Sequence, residues 1–110
     1  VTRPKVCGVK EARQKLQRLP DWSLTTDGRG IRRELRMRDF DAAVELITRV
    51  ARLAGEADHH PDIHLTDYRS LRLELSTHSA GGLTEKDFLL ASQIDALPKA
   101  LKEAPRAGSL

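Results

Sequence analysis

Three of the four histidines in this chain lie in two short segments, Asp58-His59-His60-Pro61 and the run from His78-Ser79-Ala80-Gly81-Gly82 to Thr84-Glu85-Lys86-Asp87. Imidazole is the side chain whose ordinary pKa lies near neutrality. Imidazoles flanked by Asp58 and Asp87 are equipped to give and take protons at pH 7, the chemistry of general acid/base catalysis. Two other chemistries compete with it. Together with His64, the histidines offer four nitrogen ligands, but adjacent histidines need a turn between them to reach one ion. His60 and His64 would share a helical face only if Pro61 did not break the helix. Ser76, Thr77 and Ser79 lie near His78, yet no nucleophile-elbow pattern surrounds them, and Cys7 is remote from every motif. Taken singly, each histidine reads as a surface loop residue. Three beside two aspartates, at ends of elements marked by proline and glycine, point to proton transfer.

The elements that must hold these residues can be read from periodicity. Residues 9–19 place Val9, Ala12, Leu16 and Leu19 at helical spacing before Pro20. Trp22 and Leu24 alternate with polar neighbours, Asp27-Gly28-Arg29-Gly30 forms a turn, and residues 31–38 alternate again, so residues 22–38 read as a β-hairpin. Arg33 interrupts the apolar face of its second strand, which suggests a strand edge. Asp39 is the expected N-cap of a helix over residues 39–55. Its expected core stripe is Phe40, Ala43, Val44, Ile47, Val50, Ala51 and Ala54, and Gly55 is the expected end. His59 and His60 then follow the helix end. Residues 63–66 and 71–78 read as two strands around a bend at Asp67-Tyr68-Arg69, with His78 on the face opposite the leucines. Thr84-Glu85-Lys86-Asp87 resembles a capping box, and opens a helix carrying Phe88, Ala91, Ile94, Leu97 and Leu101, kinked or ended by Pro98. The expected architecture is α+β: a four-stranded antiparallel sheet with three helices on one face, in the order α-β-β-α-β-β-α. The expected organisation is a flexible stretch over 1–8, one domain over 9–103 and a flexible tail over 104–110.

Composition narrows the function classes. The chain has 110 residues, 39% of them hydrophobic and 32% charged, which suits a single globular domain. No apolar run is long enough to span a membrane, and the N-terminus has no apolar signal core, so the expectation is a cytoplasmic protein without membrane attachment. A lone cysteine agrees with a reducing compartment. The net charge of +3 is uneven: residues 1–38 hold 11 Lys/Arg against 4 Asp/Glu, whereas residues 39–95 hold 5 against 11. The aromatic residues Trp22, Phe40, Tyr68 and Phe88 form no stacking ladder with the basic residues, so nucleic-acid binding is not expected. A sheet covered on one face leaves the other face and its edges free, and pairing there would give a homo-oligomer.

The segments Gly55-Glu56-Ala57-Asp58-His59-His60-Pro61-Asp62, Tyr68, Ser76-Thr77-His78 and Gly81 to Asp87, in this order and spacing, resemble the pterin-4a-carbinolamine dehydratases. Leu19-Pro20-Asp21-Trp22 and the stretch from Phe40-Asp41 to Arg49-Val50-Ala51 strengthen the resemblance, which covers roughly residues 9–97. It implies dehydration of 4a-hydroxytetrahydropterin to quinonoid dihydropterin, which recycles a tetrahydrobiopterin-type cofactor after an aromatic amino-acid hydroxylase has acted. It further implies no metal, no bound cofactor and a homodimer or homotetramer. Carried over residue by residue, the catalytic set is His59, His60, His78 and Asp87. The substrate-binding set is Trp22, Asp58, His59, His60, Ser76, Thr77, His78 and Ser79. In this reading His60 and His78 share the acid and base roles, His59 positions the hydroxyl, and Asp87 orients a histidine or holds it charged. Two positions depart from the family pattern. Gly55 stands where a glutamate is common, with Glu56 beside it, and Ile63 stands where an aromatic is common. The alternative is a non-catalytic binding or assembly protein on the same fold, of the coactivator or Rubisco-assembly type. Retention of all three histidines favours the enzyme.

Overall fold

The computed structural model of the chain describes residues 5–98. The first helix, α1 (Val9–Leu16), buries Ala12 and ends three residues before the expected Leu19. The N–H groups of Gln17, Arg18 and Leu19 bond to carbonyls three residues back, at Gln14, Lys15 and Leu16. That tightening takes the chain out of the α region before Pro20. Leu19 and Trp22 nevertheless remain buried.

Strand β1 is only Ser23–Leu24, shorter than the alternation suggested, and it pairs antiparallel with β2 (Ile31–Arg36). Thr25 and Gly30 close the turn between them, the Thr25 N–H donating to the Gly30 carbonyl at 2.9 Å. A side chain at Gly30 would meet the Leu75 carbonyl oxygen at 3.0 Å, so the close approach of β2 to its neighbour needs the glycine there. Along β2, Ile31, Arg33 and Leu35 point inward. Arg33 faces Leu73 on one side, but β1 reaches only as far as Arg32 on the other, so Arg33 lies where one side of its strand is open.

Helix α2 (Phe40–Ala57) begins where expected, with Asp39 Oδ1 accepting from the Ala42 N–H at 2.8 Å. Its buried stripe is Ala42, Ala43, Leu46, Val50 and Ala54. Phe40 and Val44 are instead exposed, as is Ala51, so the core face is rotated from the one expected. A helix with apolar residues on more than one side offers several candidate stripes, and the surface of the sheet selects among them. The helix also continues past Gly55, beside which an added Cβ would meet nothing within 4 Å.

β3 (Asp62–Thr66) and β4 (Ser70–Leu75) form a hairpin whose bend holds Asp67 and Tyr68 at φ 49° and 52°. The sheet order is β1-β2-β4-β3, antiparallel throughout. Leu71, Leu73 and Leu75 of β4 join Ile31 and Leu35 in the core beneath α2 and α3 (Glu85–Asp95). Arg32, Glu34 and Arg36 line the other face with Arg72 and Glu74. The result is one four-stranded antiparallel sheet carrying three helices on one face, in the order α-β-β-α-β-β-α. The strand expected to run to His78 stops at Leu75, and residues His78–Ala80 form a 3₁₀ turn. Gly81, at φ 75°, lets the chain reverse so that the Thr77 N–H meets the Gly82 carbonyl at 2.9 Å. α3 ends before Pro98, and both the expected Leu101 contact and the expected 104–110 tail lie outside the described residues.

Candidate active site

The exit of α2 determines where His59 goes. Asp58 takes a left-handed conformation, φ 50° and ψ 44°, and the His59 N–H bonds back to the Ala54 carbonyl at 3.0 Å. This is a Schellman-type ending, and Asp is one of the few residues besides glycine that enters the left-handed region readily. The chain therefore folds back at Asp58, and the His59 ring reaches the first turn of α3.

There it meets Asp87. The capping box read from Thr84 to Asp87 is formed. The Thr84 hydroxyl accepts from the Asp87 N–H, and Asp87 Oδ2 accepts from the Thr84 N–H at 2.9 Å. Oδ2 also accepts from the Thr77 hydroxyl at 2.8 Å, and the Thr77 and Thr84 hydroxyls are 2.7 Å apart. Oδ1 is left to His59, whose Nε2 lies 2.5 Å away. Asp87 is completely buried, and the His59 side chain keeps 11% of its exposure. Burial without compensation would be costly for a carboxylate, but both of its oxygens are occupied.

The antiparallel register that pairs Asp62 with Glu74 accounts for the meeting. Continued beyond the ladder, it runs His60 back beside Ser76 and His59 beside Thr77. The shared contact of His59 and Thr77 with Asp87 shows that the two segments stay adjacent. His59 lines a cleft of about 450 Å³ between the end of α2 and α3, with Leu53, Glu56, Lys86, Leu89 and Gln93. Glu56 shares this cleft with His59, and Gly55 does not line it. Ser76 and His78 line a second groove, of about 510 Å³, on the charged face of the sheet with Arg29, Arg32, Asp62 and Glu74. His60, His78 and Ser79 are exposed at this same end of the sheet.

The structure therefore joins His59, Thr77 and Asp87 by direct contacts and sets Ser76 and His78 together in a neighbouring groove. Asp58 shapes the turn. Trp22 lies elsewhere: it is buried, and its Nε1 donates to Asp95 Oδ1 at 2.9 Å. Asp95 lies eight positions after Asp87 on α3, about 12 Å along the axis. Arg33 Nη1 also reaches Asp95 Oδ1, at 2.5 Å, with Asp21 3.5 Å from Nη2. In the sequence Arg33 is a break in the apolar pattern of β2, and the buried clamp it forms emerges only in the structure. An arginine on the apolar face of a strand was the available signal. The sequence marks Thr84 as a cap, but its link to Thr77 joins opposite limbs of a turn and leaves no local signal. Burial, reinforced by the negative charge of Glu11, pushes the Cys7 thiol up and away from thiolate chemistry. Among the described residues no three His, Cys, Asp or Glu side chains converge as a metal site, and no helix is long and apolar enough to cross a membrane.

Known proteins resemble this chain in fold and in sequence. A solved structure from Brucella melitensis, described as a transcriptional coactivator/pterin dehydratase, superposes with a TM-score of 0.79 at 28% identity, covering 84% of this chain and 97% of that one. A Chloroflexus aurantiacus protein with a provisional pterin-4-alpha-carbinolamine dehydratase name is 50% identical over 92 residues, which is 84% of this chain and 95% of that protein. Pterin-4-alpha-carbinolamine dehydratase 2, mitochondrial, from Arabidopsis thaliana is 37% identical over 90 residues, 80% of this chain and 48% of its own. The family model for pterin 4 alpha carbinolamine dehydratase matches residues 7–97, and the chain belongs to that family.

Proposed function

We propose that the protein dehydrates 4a-hydroxytetrahydropterin to quinonoid dihydropterin by histidine acid/base catalysis. The observation that carries this reading is the contact between His59 and the buried Asp87 at the mouth of a cleft. Dehydration needs a proton delivered to the 4a-hydroxyl as its C–O bond breaks, and a proton taken from N5 as the C=N bond forms. Water leaves, and no net proton is consumed. Asp87 Oδ1 holds the His59 ring at the cleft, which sets His59 to face the leaving hydroxyl. His60 and His78, exposed at the same end of the sheet, supply the base. Ser76 and the backbone near it offer donors and acceptors to the flat pterin edge.

The product re-enters the hydroxylase cycle after reduction, which links the protein functionally to an aromatic amino-acid hydroxylase in the cytoplasm. It acts as a homodimer or homotetramer. The test is a dehydration assay with substrate generated in situ, after chelator treatment, on wild type, His60→Ala and His78→Ala. Chelator-resistant acceleration that falls about 100-fold or more in the variants supports the mechanism. Unchanged rates in both variants would remove it. A second reading, a binding protein, is favoured by the exposed Phe40 and Val44 on α2 and by the coactivator description of the Brucella relative. Folded wild-type protein that gives no acceleration would select it.

A further inference from the structure

Asp87 has no exposed surface, so whatever it does for a substrate passes through another group. Its two oxygens are used differently. Oδ2 takes the Thr84 N–H and the Thr77 hydroxyl, and Oδ1 faces only His59 among the contacts described above. The hydrogens of this cluster can be assigned in one direction. The single hydroxyl proton of Thr77 goes to Asp87, so Thr77 Oγ1 can only accept from Thr84. The Thr84 hydroxyl then donates to Thr77, while its oxygen accepts the Asp87 N–H of the capping box. Every member is satisfied with Asp87 as the carboxylate, and His59 Nε2 is then the donor to Oδ1.

We propose that Thr77 and Thr84 are positioning residues that aim the Asp87 carboxylate at His59 and fix that ring as its Nε2–H tautomer, leaving Nδ1 as the nitrogen that exchanges protons with the substrate. The nitrogen on which a histidine carries its proton is set by the partner of the other ring nitrogen. Thr77 thereby takes a role different from the substrate contact that the family resemblance implied. It is 4% exposed, and its hydroxyl is engaged on both sides. The kinetic part of this inference rests on the dehydratase reading; the tautomer does not.

The experiment combines nitrogen NMR of the histidine rings, at a pH above their titration, with kinetics of Thr77→Val and Thr77→Ser. Wild type should show His59 as the Nε2–H form. Thr77→Val should give a mixture of tautomers and lower kcat roughly 10-fold with little change in KM. Thr77→Ser, which keeps the hydroxyl, should restore both towards wild type. An Nδ1–H form of His59 in the wild-type protein would overturn the proposal, and this arm decides the matter even if Thr77→Val does not fold. A folded Thr77→Val with the wild-type tautomer and kcat would overturn it too. So would a raised KM at unchanged kcat, the mark of a direct substrate contact. Inactive wild-type protein with the Nε2–H form would refute the dehydratase reading and leave the positioning network standing.

Discussion

Oδ2 of Asp87 closes the capping box of α3 while Oδ1 meets His59, so one substitution acts on folding and on chemistry together. Asp87→Asn keeps the volume but turns one acceptor into a donor. Placed towards Thr77 and Thr84, the amide opposes two donors; placed towards His59, it removes the acceptor for Nε2. The expected result is a loss of about 2 kcal/mol in denaturant unfolding, from the cap and the buried hydroxyl together. Activity per folded molecule should fall about 100-fold. A loss of stability with an unchanged rate would leave Asp87 as a helix cap alone. The spacing of Thr84 and Asp87 made the cap legible in the sequence. The third donor, Thr77, was visible only as a neighbour of His78, because nothing in a one-dimensional pattern says that a strand end will fold over a helix start.

At the scale of elements, the ends and turns carry the function. Asp58 ends α2 in the left-handed region, where a residue with a Cβ is strained by about 1 kcal/mol relative to glycine. Asp58→Gly should therefore stabilise the protein by up to about 1 kcal/mol and keep His59 in place. Steady-state kinetics then separate two roles: an unchanged KM leaves Asp58 as a turn residue, and a raised KM makes it a substrate contact. The β1–β2 turn gives a pH prediction. The Arg29 N–H, followed by the Thr25 hydroxyl, holds the Asp27 carboxyl below its ordinary value. A depressed folded pKa means that the turn gains from this group above the unfolded aspartate pKa and loses that gain as pH falls through the lower folded value. An NMR titration that put Asp27 at or above the ordinary aspartate value would contradict it. The Asp95 clamp ties α3 to β2 and to Trp22. Asp95→Ala leaves the Arg33 guanidinium, 5% exposed, with only the more distant Asp21 among its described ion pairs, and should cost about 3 kcal/mol in chemical denaturation.

At the scale of the molecule, the helices cover one face of the sheet, and among the described residues β3 pairs only with β4. An edge strand with a free row of backbone groups, together with Phe40 and Val44 exposed on α2, favours association with further copies of the chain. Sedimentation of the wild-type protein at micromolar concentration should give a dimer or tetramer. Phe40→Asp should lower that mass if α2 forms the contact and leave it unchanged if the sheet edge does. A wild-type monomer would remove the oligomer from the proposed function.

The sequence by itself determined the order of elements, the apolar side of β2 and β4, the N-cap at Asp39 and the capping box at Thr84. Each of these depends on neighbours within a few residues, where period and side-chain type act directly. It also marked the histidine segments, because proline and glycine bracket them. Only the tertiary structure decided which stripe of α2 is buried, since Phe40, Val44 and Ala51 are as apolar as the residues that face the sheet. Only it stopped β4 at Leu75, because the reversal depends on Gly81 turning Thr77 back onto Gly82. It alone joined His59 to Asp87 across 28 residues of chain. That contact needs the left-handed exit at Asp58, the β3–β4 register and the first turn of α3 at once, and long-range coincidence of this kind leaves no period in a sequence.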